Sequence, residues 1–522
     1  MNTKILSTTE YDIALAGEIL RRGGLVAFPT ETVYGLGANA LDEDAVRRIY
    51  VAKGRPSDNP LIVHIARKED IVPLVTEVTP MAKALMDAFF PAPLTIILPK
   101  SDAVSDVVSG GLNTVAVRMP GNEIARRVIR AAGVPIAAPS ANTSGLPSPT
   151  KAEYVIDDMM GRIDAVIDGG DCQYGVESTV LTLATDTPTI LRPGAITKEM
   201  LEQVIGPVDV APAVLEGMAE NETAASPGMK YKHYSPNARV MVVKGDSRQY
   251  RDFVNTKKDA YALCFEEDDV AIPHIVYGKQ DDDLAQAKNL FDALRRLDKM
   301  GAKRVYAHIP HIDGVGMAVY NRLIRAAAFC VIDLTKPFAI GLTGQTGAGK
   351  GYVAERLQAR GFNIIDCDSV VRDIYDTDAD LVQSLAAAFG TDVVDNGRVN
   401  RSRLAQIVFE DREKLKALNA MVHPAVMNAC RKMARFPCVL DAPQLFEADA
   451  QQDCYIVVSV LADEDTRLQR IIDRDGIDEA SARRRMSSQY SRQYFLEHSD
   501  YVIYNDGGDI EQQIDDILAE IW

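Results

Sequence analysis

The sequence reads as an α/β protein of several domains, and three features point to that class. Through the first two hundred residues short apolar runs alternate with stretches of helical spacing. After a connector the same alternation resumes on a smaller scale, up to Pro337. The run FAIGLTGQTGAGKGYV (338–353) then sets an apolar strand, a glycine-dense turn with a lysine, and a helical stretch in the order a phosphate-binding P-loop requires. At 522 residues, a prior of roughly 150 per domain gives three or four domains, each able to bury a core.

Bulk composition narrows the functional class. Apolar content of 47% and charged content of 25% are those of a soluble globular protein. A net charge of −17 speaks against an autonomous nucleic-acid binder, DNA included, and suits an enzyme of small anionic substrates with local Lys and Arg in its sites. Seven cysteines without a C-x-x-C pair point to a reducing compartment, with neither a disulfide framework nor a zinc site. The opening MNTKILSTTEYD has no apolar signal-peptide core, and no apolar run approaches membrane-spanning length. The expected location is cytoplasmic, with no membrane partner.

In order, residues 9–22 show helical spacing (Ile13, Ala16, Ile19, Leu20) and stop at Gly23-Gly24. LVAF reads as a strand running into PTETVYGLGANA. A helix over 42–53 leads through GRPSDNP to the strand LIVHI. TIILP, TVAVRMP, VPIAAPSAN, AVIDGG, STVLTLA and TPTILRPG give further strands, several with helices between, which makes a mixed α/β domain. Polar clusters fall where strands end, the place where α/β proteins build sites. Lys53, Arg55, Ser57 and Asn59 alternate within seven residues, as a phosphate chain would want or as a solvated basic helix end would show. SANTSG (140–145) supplies hydroxyls, an amide and a pliable backbone, or an ordinary turn. His64 in LIVHI is by default a core histidine, whereas Arg118 in VAVRMP needs an anionic partner if buried.

Taken together, PTETVYGLG, KGRPSDNPL, PSANTSG, ESTV and LRPG follow one another as in the YrdC-like family, and the resemblance covers nearly all of residues 8–205. It implies a YrdC-like mixed α/β domain that forms threonylcarbamoyl-AMP from L-threonine, bicarbonate and ATP, on the way to the threonylcarbamoyladenosine modification of tRNA. It assigns Thr32, His64, Arg118 and Ser178 to threonine. It assigns Lys53, Arg55, Asn59, Thr114, Ser140, Asn142, Ser148 and Arg192 to ATP and the adenylate, with Lys53 and Arg55 closest to catalysis. An amino-acid carboxylate suits a partly buried arginine with hydroxyl donors, and a triphosphate suits several cations. No side chain looks like a covalent nucleophile, so catalysis is expected to rest on positioning and charge neutralisation.

Residues 206–226 carry Pro, Ala and acids without a period and read as a linker. SPGMKYKHYSP (226–236) is a basic aromatic stretch that resembles the lid connector of the long, two-domain members of the same family. That resemblance brings Lys230, His233 and Tyr234 over the ATP, where they would exclude water from a labile carbamate. ARVMVVKGD, YALCF, HIVYG and RVYAHI, with a helix over 283–299 and GVGMAVYNRLIRAA, give a small Rossmann-like accessory domain over 237–336. It has no nucleotide fingerprint, and no chemistry is expected there.

In the last third, Gly344, Gly347, Ala348, Gly349, Lys350 and Gly351 form the ATP-binding loop, unless it is a plain glycine turn. Gly351 stands where the motif has the Ser or Thr that meets Mg²⁺. Asp366 and Asp368 sit at a strand end: one a candidate base, the other a positioner, or simply a helix cap with an acidic neighbour. Asp441 ends another strand, where a carboxylate near Mg²⁺ belongs. Arg467, Arg470 and Arg474 lie on a helix that is a phosphoryl-stabilising lid or a charged surface. GLTGQTGAGKG, NIIDCDSVVR, GRVNRSRLAQIVF, LNAMVHPAV, DAPQLFE, RLQRIIDRDG and YVIYNDG together resemble dephospho-CoA kinase over 338–522. The resemblance implies a P-loop NTPase-fold kinase domain with a parallel sheet. In it Asp368 is the base for the 3′-hydroxyl of dephospho-CoA, Lys350 and the loop bind ATP, Arg474 lies near the phosphates, and Mg²⁺ accompanies ATP. Gln444 departs from the apolar residue of the D-x-P-L-L-F-E pattern.

Three readings follow. The first is a fusion of a synthase (a YrdC-like domain over 1–205, a lid-bearing linker over 206–236, the accessory domain) with a kinase over 338–522. The second keeps the synthase and makes the P-loop domain a nucleotide sensor. The third makes residues 1–205 an RNA-binding module. Their 19 Lys+Arg against 25 Asp+Glu, a net of −6, disfavours it, so tRNA is expected only through downstream modification proteins.

Overall fold

The computed structural model describes residues 2–56, 59–215, 234–408, 411–487 and 489–521. Two compact units emerge, Met1–Val331 and Ile332–Trp522. Ser57, Lys230 and His233, named above as site candidates, lie outside the described residues.

Helix ends follow the capping chemistry of the sequence. Thr9 accepts from the Asp12 N–H to open the helix Glu10–Arg21, and Asp42 accepts from Asp44 and Ala45 to open Glu43–Lys53. The second helix ends on Gly54 in the left-handed region. These helices cover a mixed sheet of eleven strands. Its order is Lys4–Leu6, Ala165–Ile167, Val26–Phe28, Gly35–Asn39, Ile136–Ala137, Ile62–His64, Thr114–Arg118, Leu94–Pro99, Thr179–Thr182, Thr189–Arg192 and Asp209–Val210.

Three features depart from the sequence reading. GLGAN is a strand, although it carries no apolar alternation. A Cβ on Gly37 would meet the Phe28 ring at 2.7 Å and Ile136 at 2.8 Å, so the neighbouring strands close in where side chains are missing. The stretch VPIAAPSAN contributes only Ile136–Ala137 before it turns into the SANTSG loop. The start of the expected linker is built into the fold. Asp209–Val210 pairs in parallel with Thr189 and Ile190, and the Val214 carbonyl accepts from Asn321 at 2.7 Å.

The accessory domain is a parallel sheet in the order His274–Gly278, Tyr261–Phe265, Arg304–His308, Arg239–Lys244, backed by the helices Asp283–Lys299 and Gly316–Ala326. Its interior holds a His308–Asp268 pair at 2.8 Å, with the other ring nitrogen 3.0 Å from the Gly245 carbonyl. The helix Asp283–Lys299 presses on the loop before the strand Thr179–Thr182. Gly175 there has φ +74°, and a Cβ on it would fall onto the Lys288 backbone.

The C-terminal unit is an all-parallel sheet in the order Asn363–Asp366, Cys438–Asp441, Phe338–Gly344, Cys454–Leu461, Tyr501–Tyr504. Every residue of Phe338–Gly344 is buried, as a central strand covered on both faces requires. Asp366 pairs in register with Asp441, so two carboxylates meet at the carboxyl edge beside the glycine loop.

Gly175→Ala is expected to destabilise the N-terminal unit by about 1–3 kcal/mol, from positive φ and backbone collision together. A fall in denaturant midpoint at unchanged slope would register it, and an unmoved midpoint would refute the close approach.

Candidate functional site

The first site is a polar pocket at the centre of the eleven-stranded sheet. Its lining takes in Thr32, Lys53, Arg55, His64, Arg118, Ser140, Asn142, Ser148, Glu177, Arg192 and Tyr234. The sheet register explains the first contacts. His64 lies directly beside Arg118 on parallel strands, which turns both side chains to one face. The anionic partner that a buried Arg118 demands is Glu31, 2.6 Å from Nη2, which also reaches Thr32 Oγ1 at 3.0 Å. Burial would raise the Glu31 carboxyl, but Arg118 beside it holds it below its ordinary range. Arg118 Nε is buried with no hydrogen-bond partner. His64 is pushed down to about 3 by burial, with Arg118 adding to it, and stands neutral. Its Nδ1 lies 3.2 Å from the Ile62 carbonyl, and donation there leaves Nε2 as an acceptor.

The second group lies on the SANTSG loop and the strand ends facing it. Lys53 is only 3% exposed, and its Nζ donates to the Ser140 carbonyl and, at 2.7 Å, to the Asn142 carbonyl. Burial, reinforced by Arg55, pushes its ammonium well below the ordinary lysine range. Lys53 therefore shapes the loop from within the pocket. Ser140 Oγ donates to Asn142 Oδ1 at 2.5 Å, and Ser148 Oγ to Glu177 Oε1 at 2.5 Å. Arg192 reaches Ser178 through its carbonyl at 3.1 Å and its hydroxyl at 3.2 Å, and that hydroxyl also meets Thr95 at 2.8 Å.

Three expected residues stand outside this lining among the described residues. Ser178 sits one layer behind, between Thr95 and Arg192. Asn59 is fully buried with neither polar atom of its amide paired. Thr114 opens the strand that ends at Arg118, on the order of 13 Å away along it. Tyr234 closes one side at φ 61° and stacks on Phe291 at 5.2 Å, while the Ser235 N–H donates to the Gly145 carbonyl at 2.9 Å. Sequence reasoning passed over Glu31 and Glu177, although PTETVYG and ESTV each display an acid among hydroxyls.

The second site is the P-loop cleft, bordered by Gly344, Gly347, Gly349, Lys350, Gly351, Asp368, Arg470, Arg474 and Gln489. Gly349 adopts φ +92° and caps the helix Lys350–Ala359, a turn open to glycine, at the helix N-terminus where the loop meets the cleft. Ala348, fully buried, is not among the residues bordering the cleft, and its carbonyl accepts from Asn505 Nδ2 at 2.8 Å. The Thr346 N–H donates to Gln489 Oε1 at 2.7 Å. Lys350 forms an ion pair with Asp441.

The two strand-end aspartates divide their work. Asp366 accepts from the Asp368 N–H at 3.0 Å and from Ser369 Oγ at 2.5 Å, which is a helix cap. Asp368 is left to face the cleft. Of the three arginines, Arg467 Nε donates to the Thr346 carbonyl at 2.9 Å, and Arg474 is paired with Asp475 at 2.8 Å on both branches. Arg470 lies against the loop itself, 3.4 Å from the Ala348 carbonyl and 3.1 Å from that of Asn505.

The donor chemistry fits a magnesium ion carried by a triphosphate. Burial raises the Asp441 carboxyl despite Lys350, and Asp366 and Asp368 add to the rise, so negative charge there is under-compensated. A Cβ on Gly351 would meet nothing within 4 Å. Among the described residues no three His, Cys, Asp or Glu side chains form a cage, so a hard cation here would lean on substrate oxygens. A separate, largely apolar cavity adjoins the cleft, walled by Val371, Tyr375, Leu418, Val422 and Met427, with Asn419, His423 and Gln444 as its polar groups. Asp368 borders both spaces. No helix of the described residues is long and apolar enough to cross a membrane.

Comparison with known proteins divides the chain in the same order. A family model described as telomere recombination matches residues 18–194, and one described as threonylcarbamoyl-AMP synthase, C-terminal domain, matches 196–328. One described as dephospho-CoA kinase matches 338–511. A threonylcarbamoyl-AMP synthase of Pyrococcus abyssi is 48% identical over 334 residues, 62% of this chain and 96% of that protein. A dephospho-CoA kinase of Syntrophotalea carbinolica is 38% identical over 192 residues, 34% of this chain and 89% of that one. Among solved structures, P. abyssi Sua5 complexed with L-threonine gives a TM-score of 0.60 at 45% identity, covering 64% of this chain and 100% of its own. The chain thus belongs to the threonylcarbamoyl-AMP synthase family through its catalytic and accessory domains and to the dephospho-CoA kinase family through its C-terminal third.

Proposed function

We propose that this chain is a bifunctional ATP-using enzyme. Its N-terminal unit makes L-threonylcarbamoyladenylate from L-threonine, bicarbonate and ATP, and its C-terminal unit phosphorylates the 3′-hydroxyl of dephospho-CoA.

The observation that carries the synthase reading is Arg118 Nε, buried and unpaired beside a neutral His64. An amino-acid carboxylate satisfies the first, and a hydroxyl donating to Nε2 satisfies the second. The solved relative with L-threonine supports this substrate. The threonine nitrogen takes up the carbonyl carbon of bicarbonate to give a carbamate, with loss of water. A carbamate oxygen then attacks the α-phosphorus as the bond to the β-phosphate oxygen breaks, and pyrophosphate leaves. Arg55 and Arg192 offset charge on the phosphates, while Tyr234, on one side of the pocket, helps keep water from the carbamate. The acidic balance of residues 1–205 supports a role for tRNA only downstream, through proteins that consume the adenylate.

The kinase reading is carried by Asp368, which borders both the P-loop cleft and the apolar cavity. A hydroxyl presented from the cavity gives its proton to Asp368 while its oxygen attacks the γ-phosphorus and ADP departs. Lys350 and Arg470 neutralise the transferring group from the loop side, with Arg474 at the rim. Asp441, with phosphate oxygens, would hold Mg²⁺, whose charge offsets that of the triphosphate. Gly351 motivates a second reading, a nucleotide sensor without turnover.

Three results test these assignments. Arg55→Ala is expected to cut threonine-dependent pyrophosphate release by about 100-fold or more at unchanged circular dichroism; unchanged release would remove Arg55 from the site. Asp368→Asn should lower conversion of dephospho-CoA to CoA by about 10²–10⁴-fold, with ATP still bound. Gly351→Ser has room for its side chain and should reduce the Mg²⁺ concentration needed for half-maximal CoA formation. CoA and ADP in equal amounts would exclude the sensor, whereas no CoA at any Mg²⁺ concentration, with ATP bound, would establish it.

A further inference from the structure

We propose that Arg322 of the accessory domain is a positioning residue for the synthase, acting through Glu177 to fix the Ser148 hydroxyl as a hydrogen-bond acceptor toward the nucleotide. The proposal rests on the reading of the N-terminal pocket as an ATP site.

Arg322 lies on the helix Gly316–Ala326 and has no solvent exposure. Its guanidinium reaches out of its own domain. Nε donates to Glu177 Oε2 at 3.0 Å, Nη2 to the Glu177 carbonyl at 3.2 Å, and Nη1 to the Pro193 carbonyl at 2.6 Å. The remaining bond, from Nη1 to Asn321 Oδ1 at 3.2 Å, steadies it from its own helix. One planar fork thereby grips the two segments that bring Glu177 and Arg192 to the pocket.

The consequence lies at Ser148. A serine hydroxyl owns one proton, and here it is committed to Glu177 Oε1 at 2.5 Å. Both Ser148 and Glu177 border the pocket. As long as Glu177 is an anion held by Arg322, the Ser148 oxygen can offer the nucleotide only lone pairs. It then suits a ribose hydroxyl or a base amine and disfavours a phosphate oxygen. The charge state agrees: burial would raise the Glu177 carboxyl, but Arg322 and then Arg192 bring it below the ordinary range. Without Arg322, a buried carboxylate would be left short of charge compensation, and the hydroxyl would be free to turn.

An arginine that merely glues two domains would make similar bonds, so the test needs a readout that glue does not move. Using the full chain, threonine- and bicarbonate-dependent pyrophosphate release is followed across ATP concentration for Ser148→Ala, Arg322→Lys and the double variant. Ser148→Ala is expected to raise KM for ATP about tenfold, one lost hydrogen bond, with kcat changed far less. Arg322→Lys should raise KM for ATP several-fold with KM for threonine held within about twofold, and the double variant should be no worse than Ser148→Ala alone.

A drop in melting temperature with unchanged KM for ATP, or effects that multiply in the double variant, would overturn the proposal. If Arg322→Lys does not fold, Glu177→Gln replaces it in the same cycle, with the same outcomes deciding. Ser148→Ala without effect, while Arg55→Ala still abolishes release, would sink the relay alone. Both without effect would sink the nucleotide reading of the pocket.

Discussion

A charge taken out of water has to be answered within bonding distance, and the N-terminal unit is organised around that constraint. Glu31 meets Arg118 at 2.6 Å with both side chains 5% exposed, and Glu177 meets Arg322 at 3.0 Å. Arg295 meets Asp158 at 2.8 Å and also donates to the Pro147 carbonyl. Each pair joins segments far apart in the chain, and each borders or backs the same pocket. The sheet supplies the floor, but the geometry of the polar walls comes from these pairs. They hold the SANTSG loop, the ESTV turn and the LRPG strand end at fixed separations.

The C-terminal unit solves a different problem with a simpler device. In a parallel sheet buried on both faces the strand carboxyl ends share one edge, and three adjacent strands bring Asp366, Asp441 and the glycine loop there together. Division of labour follows from local bonding. Asp366 is occupied by the amide and hydroxyl at the start of its helix, so the neighbouring Asp368 is the carboxylate with a free face. Lys350 pairs with Asp441 at the loop, so the cation of the glycine loop and the carboxylate of the neighbouring strand end stand side by side.

Much of this was legible because it is local. The helix starts at Thr9 and Asp42, the glycine loop, and the strand-to-loop positions of Lys53, Arg118 and Asp441 are all visible within a few residues. What escaped is non-local. The partner of Arg118 lies 87 residues earlier, and that of Arg322 lies 145 residues earlier, so no window of sequence could pair them. The strand Gly35–Asn39 escaped for the opposite reason. Its signal is an absence of side chains, which reads as a turn until the neighbours that need the space are in view. Thr114 shows that a motif position and a place in the pocket lining are different things, since strand direction puts it at the far end from Arg118.

Arg322 also bears on how such a chain can be assembled from parts. Two guanidinium groups of the accessory domain, Arg295 and Arg322, end inside the catalytic domain's polar interior. The two domains therefore do not behave as interchangeable modules. A recombination that placed a different α/β domain after the lid stretch would leave Glu177 and Asp158 unanswered unless the newcomer carried arginines at matching positions. The joint is thus keyed by charge: whatever domain follows must meet two buried carboxylates with cations at the same places.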